Sequence, residues 1–238
     1  FFVTYGDSIA FCDLEFMYWQ YVESEQTCMM SVSNFNSPTS NFCICNGEVG
    51  YQAPNYVEHG VSIFQKICLN DKRALVNVSQ YFKCFQDVHY ANANYYQVNT
   101  PEDLSYVNEQ FDKFKTPSKY NFLDRDGTIN IHYPEFYQSP NFSPTEQILE
   151  LIDGSDCVII TNQPDRAKNI GSMRDINRIT MEARQYLIDN GKNVLFTQSC
   201  LHRDVKLPDD KFSRLRFDCD CRKPKDGMLH KSAVRINI

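Results

Sequence analysis

From Lys119 onward, short apolar runs alternate with amphipathic stretches. The spacing predicts a strand from Lys119 to Asp124, a helix near Thr145 to Ile152, a strand from Cys157 to Thr161, a longer helix near Met173 to Asn190, and a strand from Asn193 to Gln198. This alternation implies an α/β fold built on a parallel, doubly wound sheet with right-handed crossovers. In the longer helix Met173, Ile176, Ile179, Ala183 and Leu187 recur at helical spacing and mark a core face. Asp124 and Thr161 fall at carboxyl ends of strands, where such sheets bind ligands. Upstream, Phe2-Val3-Thr4-Tyr5-Gly6-Asp7-Ser8 reads as an apolar strand ending in a turn with an acid. Thr100 is a good N-cap, with Pro101 at N1 and Asp103 at N3, for a helix running to about Phe111. Asp112 to Lys119 is charged and contains a proline, so the domain boundary is placed there, between residues 1–114 and 115–238.

The 238 residues suffice for one large domain or two small ones, and 42% hydrophobic content supports real cores. No apolar run approaches the roughly 18 residues of a spanning helix, and the first residues lack the basic leader of a secretory signal, so no membrane partner is expected. Among ten cysteines, Cys12, Cys28, Cys43, Cys45, Cys68, Cys84 and Cys157 show no framework spacing. Free thiols in a reducing cytoplasm fit that pattern. A net charge of -6 argues against a general nucleic-acid binder.

The chemistry concentrates in Tyr120-Asn121-Phe122-Leu123-Asp124-Arg125-Asp126-Gly127-Thr128-Ile129-Asn130, where two carboxylates stand one residue apart as a strand gives way to a glycine turn. In an extended segment, residues two apart project to one side, so Asp124 and Asp126 could address one reacting phosphorus together. Gly127 permits a sharp turn beneath an anion, and Thr128 offers a hydroxyl to fix it.

The D-x-D-G-T pattern resembles the first signature of the haloacid dehalogenase superfamily, and FLDRDGTIN resembles its heptose bisphosphate and histidinol phosphate phosphatase branch. Cys157 to Gln163 matches the second signature, and Cys221-Arg222-Lys223-Pro224 resembles the third. The resemblance implies a Rossmann-like sheet with a minimal cap and a magnesium-dependent phosphatase. Asp124 would be the nucleophile that forms an aspartyl-phosphate, and Asp126 the general acid and base. Thr161 and Lys223 would hold the transferring oxygens, Asn162, Gln163 and Arg222 would contact substrate, and Asp124 with Asp126 would hold Mg2+.

Cys200-Leu201-His202 and, after sixteen intervening residues, Cys219-Asp220-Cys221 offer three thiols and an imidazole as two close pairs. Four such ligands suit tetrahedral, structural zinc, which would hold Arg222 and Lys223 in place. The same branch carries this C-x-H with C-x-C arrangement.

In the N-terminal part, Tyr5-Gly6-Asp7-Ser8, Asn55 to Phe64 and Tyr95 to Leu104 resemble segments of sugar-1-phosphate nucleotidyltransferases. That likeness implies an incomplete α/β domain in which Asp7 binds the magnesium of a nucleoside triphosphate. Neither a glycine-rich triphosphate loop ahead of Phe1 nor an acidic G-D-x-x-x-D signature after Ile238 is present. The expectation is therefore the middle of a longer two-enzyme polypeptide with weak magnesium binding. Paired, the two likenesses imply heptose 1,7-bisphosphate 7-phosphatase chemistry on a small phosphosugar, on the way to a nucleotide-activated heptose. The alternatives are a histidinol-phosphate phosphatase, a catalytically idle zinc-stabilised scaffold, and a zinc-dependent nucleic-acid module.

Overall fold

The computed structural model describes residues 2–4, 6, 8–10, 12–26, 28–34, 43–45, 48–50, 56–64, 87–90, 95–113, 119–132, 141–145 and 147–236. The chain divides into two compact units, one of residues 1–91 with 95–97, the other of 92–94 with 98–238.

The first unit holds strands β1 (Phe2–Thr4), β2 (Ser8–Ala10), β3 (Cys28–Asn34), β4 (Cys43–Cys45), β5 (Glu48–Gly50), β6 (Tyr56–Phe64), β7 (Asp87–Tyr90) and β8 (Tyr95–Gln97). A mixed sheet runs in the order β1-β6-β3-β7, with β3 parallel to β7 and antiparallel to β6. The helix Leu14–Ser24 starts where the Asp13 side chain accepts from the Phe16 amide at 3.1 Å. Its Met17 is buried with Cys12, Met29 and Ile63 in a small apolar core. β1 and β2 flank the Tyr-Gly-Asp-Ser segment, but Asp7 itself lies outside the described residues.

In the second unit the helix Pro101–Lys113 opens on a reciprocal cap. The Asp103 amide donates to Thr100 Oγ1 at 3.1 Å, and the Thr100 amide donates to Asp103 Oδ2 at 2.9 Å. The order then runs β9 (Tyr120–Leu123), helix Gln147–Leu151, β10 (Asp156–Asn162), helix Met173–Asp189, β11 (Val194–Cys200), a short 3-10 turn at Ser213–Leu215, and helix Gly227–Arg235. All three strands are parallel in the order β11-β10-β9, so β10 is central. The run Cys157 to Thr161 of β10 is buried, as a continuous apolar strand of a parallel sheet should be. Leu123, Ile129, Ile148, Ile152, Cys157, Ile159, Ala183, Leu187 and Val194 form the core. All five residues expected on the core face of the longer helix are buried.

Two boundaries moved with consequences. β11 continues past Gln198 to Cys200, because its pairing with β10 extends to Asn162 opposite Cys200. That carries a cysteine of the proposed metal cluster onto the sheet. β9 stops at Leu123, before either acid of the D-x-D pair, so the strand alternation invoked for those acids does not position them. A turn does. The helix Gly227–Arg235 had no counterpart in the sequence pattern. Its first residue must be small, since a Cβ at Gly227 would lie 2.4 Å from the Asp220 carbonyl oxygen.

Candidate active site

The turn after β9 is built by the Arg125 carbonyl, which accepts from the Ile129 amide at 2.8 Å and the Asn130 amide at 3.1 Å. Gly127 adopts φ +80°, a left-handed conformation that glycine takes without strain, and its amide donates to the Asn130 carbonyl at 2.8 Å. Thr145 Oγ1 donates to the Thr128 carbonyl and so pins the far side of the loop. With the backbone held, Asp124 and Asp126 each meet a different cation.

Lys223 Nζ lies 2.6 Å from Asp124 Oδ2 and also donates to the Ile160 carbonyl at 3.1 Å. The other Asp124 oxygen accepts from the Arg125 amide at 2.8 Å. Lys223 is in turn clamped by Asn162, whose Oδ1 accepts from the Lys223 amide at 3.0 Å and whose Nδ2 donates to the Lys223 carbonyl at 3.2 Å. Both polar atoms of Asn162, expected to contact substrate, are engaged with the Lys223 backbone here.

Asp126 faces Arg125. Arg125 Nε donates to Asp126 Oδ1 at 2.9 Å and Nη2 to Oδ2 at 3.0 Å, while Gln163 Nε2 donates to the same Oδ2 at 2.6 Å. Burial alone would push the Asp126 carboxyl upward, but the Arg125 charge and these hydrogen bonds outweigh it and hold the carboxyl below its usual range. Gln163 also donates to Thr161 Oγ1 at 2.8 Å, and its Oε1 accepts from Arg125 at 2.9 Å. Thr161 is fully buried at the end of β10. Gln163, another expected substrate contact, is thus an internal link among Thr161, Arg125 and Asp126. Arg222 Nη1 donates to the His202 carbonyl at 3.3 Å, which ties it to the cysteine-histidine cluster.

Sequence reasoning passed over three residues here. Arg125 is 1% exposed although it sits between two acids on a turn. Thr180, on the core side of the helix Met173–Asp189, accepts from Arg125 Nη1 at 2.7 Å. A polar residue interrupting an apolar helical stripe was the available signal. Asp165 is buried as well, and burial pushes its carboxyl up to about 6, with the Asp126 charge adding to the effect.

Beside this site Cys200, His202, Cys219 and Cys221 are all buried, with their ligand atoms within 4.8 Å of one another. Cys221 Sγ lies 3.2 Å from both Cys200 Sγ and Cys219 Sγ and 3.3 Å from His202 Nδ1. Cys200 Sγ is 3.6 Å from Cys219 Sγ. A tetrahedral ion with metal–sulfur bonds of about 2.3 Å and a metal–nitrogen bond of about 2.0 Å requires edges of about 3.6 to 3.8 Å. The quartet is close to that shape and could hold such an ion. The Cys221 thiol is pulled down by hydrogen bonds, first from Cys200, whose own thiol is pushed up in exchange. Three thiols and an imidazole buried at this spacing form a donor set that a tetrahedral cation takes. Among the described residues it is the only such group of potential ligands; Asp124 and Asp126 are not joined by a third acid within ligating distance of one another.

The cluster is wired to the acid site through backbone. The Gln163 amide donates to the Cys200 carbonyl at 2.7 Å, and Cys221 directly precedes Arg222 and Lys223. Arg216 braces the intervening loop, with Nε donating to the Ala167 carbonyl at 3.0 Å.

No family model matches the chain. Curated relatives do. The D-glycero-alpha-D-manno-heptose-1,7-bisphosphate 7-phosphatase of Photorhabdus laumondii is 31% identical over 125 residues, covering 50% of this chain and 66% of that protein. The D-glycero-beta-D-manno-heptose-1,7-bisphosphate 7-phosphatase of the same organism is 33% identical over 122 residues, 49% of this chain and 63% of its own length. The corresponding Yersinia pestis enzyme is 28% identical over 122 residues, with 49% and 63% coverage. The chain therefore spans just under two thirds of the length of the relatives it matches. A solved D,D-heptose 1,7-bisphosphate phosphatase from B. bronchiseptica, complexed with magnesium and phosphate, is 28% identical with a TM-score of 0.40, covering 50% of this chain and 64% of that one. The similarity found is thus to heptose 1,7-bisphosphate 7-phosphatases, and it extends over about half of this chain.

Proposed function

We propose that the unit containing Asp124 is a phosphatase for a sugar bisphosphate, with heptose 1,7-bisphosphate 7-phosphatase activity the favoured assignment. The observation that carries this reading is the ammonium of Lys223, 2.6 Å from Asp124 Oδ2 at the carboxyl edge of a parallel sheet. A carboxylate paired with a clamped lysine can attack phosphorus while the cation offsets charge on the transferring oxygens. In the first step Asp124 forms a bond to phosphorus and the ester bond breaks, while Asp126, ionised in the free site, gains a proton as the anionic phosphate binds and passes it to the departing oxygen. In the second, Asp126 takes a proton from water as that water displaces Asp124 from phosphorus. The buried Thr161 hydroxyl and the Arg222 guanidinium are assigned to the phosphate oxygens and the substrate.

Magnesium, with Asp124 as its carboxylate ligand, would supply further charge neutralisation. Asp126 is the weaker of the two expected ligands, because both of its side-chain oxygens already accept from Arg125 and Gln163. Zinc fits Cys200, His202, Cys219 and Cys221 and would stabilise the loop that carries Arg222 and Lys223. The names of the relatives support the choice of sugar, and the reduced state of Cys12, Cys28, Cys157, Cys200, Cys219 and Cys221 suits a cytoplasmic setting. Among the described residues no helix is long and apolar enough to cross a membrane. For the N-terminal unit, a nucleotidyltransferase role with Asp7 and a nucleoside triphosphate rests on sequence resemblance alone.

The test is phosphate release from heptose 1,7-bisphosphate and from histidinol phosphate, with intact-mass detection of a phosphorylated chain. Cleavage of the bisphosphate that disappears in Asp124→Asn supports the reading. Preference for histidinol phosphate overturns the substrate, and activity unchanged in Asp124→Asn overturns the mechanism.

A further inference from the structure

Arg125 makes contacts in three directions from a position almost closed to solvent, at 1% exposure. Its Nε and Nη2 grip the two Asp126 oxygens at 2.9 and 3.0 Å. Nη2 also donates to Gln163 Oε1 at 2.9 Å, and Nη1 donates to Thr180 Oγ1 at 2.7 Å and the Ile176 carbonyl at 3.3 Å. Thr180 Oγ1 in turn donates to the Ile176 carbonyl at 2.6 Å, which directs its lone pairs at the guanidinium. The chain of bonds thus runs from the helix Met173–Asp189 to the acid that the reaction uses.

We propose that Arg125 is the positioning residue of the proton-transfer steps, fixing the Asp126 carboxylate against the helix Met173–Asp189 so that its proton is delivered to the leaving oxygen. This rests on the phosphatase reading above, in which Asp126 is the acid and base. The physical need is plain. Asp126 sits on a turn rather than a strand, so its backbone leaves two side-chain torsions free to wander. A planar fork with two parallel N–H groups removes both at once, which a lysine ammonium cannot do. The fork is only as steady as its own support, and here that support is the body of a helix away from the loop: the Ile176 carbonyl and Thr180 lie some fifty residues further along the chain. Gln163 adds a third donor to Asp126 and ties the same assembly to Thr161 at the end of β10. The guanidinium spends two of its five donors on the single carboxylate that must move protons.

The proposal separates the two halves of the first step. Attack by Asp124 on phosphorus uses the Arg125 backbone amide but not its guanidinium, whereas protonation of the departing oxygen depends on the guanidinium. An alkyl leaving group, such as a sugar oxygen, needs that proton; a p-nitrophenolate leaves without it. Single-turnover release of the alcohol from the heptose bisphosphate and from p-nitrophenyl phosphate therefore isolates the role, using the full chain. Arg125→Lys keeps the charge and loses the fork. It should lower the sugar-ester rate about 100-fold, the order expected for a misplacement of about 1 Å, while p-nitrophenyl phosphate changes less than about threefold. Thr180→Val keeps the volume and removes the anchor, so it should show the same bias at about 5-fold to 10-fold, within the range that general acid catalysis spans. It decides the matter if Arg125→Lys does not fold. Equal losses on both esters would reduce Arg125 to a folding residue and overturn the proposal alone. Wild-type protein inert toward both esters would overturn the phosphatase reading, and this proposal with it.

Discussion

Replacing Asn162 by alanine separates two roles for that residue. In the structure its amide group makes two hydrogen bonds to the backbone of Lys223, sixty-one residues away, at 3.0 and 3.2 Å. A typical intramolecular hydrogen bond contributes about 0.5 to 1.5 kcal/mol, so removing both should cost about 1 to 3 kcal/mol of stability. The fold should survive, because the neighbouring Cys221 is held independently within its cluster. The larger effect falls on chemistry. Without the clamp, the Lys223 ammonium keeps its bond to the Ile160 carbonyl and its ion pair with Asp124, but the backbone that carries it is no longer fixed and the ammonium can drift. A drift of about 1 Å corresponds to a loss of about 100-fold, or about 2.7 kcal/mol of barrier. Steady-state kinetics on the heptose bisphosphate, with thermal unfolding of the same samples, reads both quantities. The expectation is a fall in kcat with KM little changed. A rise in KM at constant kcat would mean that Asn162 binds substrate directly, as its sequence motif suggested, and would refute the clamp.

Chelation or Cys219→Ser should remove about one zinc per chain, measured by metal analysis, and lower the melting temperature of the protein, since a structural ion's binding energy is folding energy. An unchanged melting curve in metal-free protein would contradict a structural site. Asp165→Asn should stabilise the protein at neutral pH. The native carboxyl titrates near 6 against an ordinary 3.8, so ionising it disfavours the fold. That advantage of the protonated form is present at low pH and lost between about 3.8 and 6, a total of about 3 kcal/mol. Denaturant unfolding should show the gain at pH 8 and none below pH 3.8; an equal gain at both would exclude a titration effect. Leu187→Ala, at a fully buried position in the core, should cost about 2 to 5 kcal/mol by the same measurement.

The amino-acid sequence by itself determined the parallel β-α-β order of the second unit, because a continuous apolar run and a 3.6-residue stripe have one way each to be buried. The cap at Thr100 and the helix face from Met173 to Leu187 were legible for the same reason: their physics is local. The meeting of Lys223 with Asp124 and the clustering of the cysteine pairs were legible too, since these residues stand in short motifs. What those motifs could not convey was which side chain serves which. Asn162 and Gln163 read as substrate contacts because they adjoin Thr161, yet they bond to Lys223 and Asp126 across separations of sixty-one and thirty-seven residues. Arg125 was silent, because an arginine between two acids on a turn is normally solvated. Only the packing of the helix Met173–Asp189 over that turn, with Thr180 and the Ile176 carbonyl placed to receive it, makes burial of its charge tolerable. Partnership of this kind depends on distance in space, and the tertiary structure alone sets it.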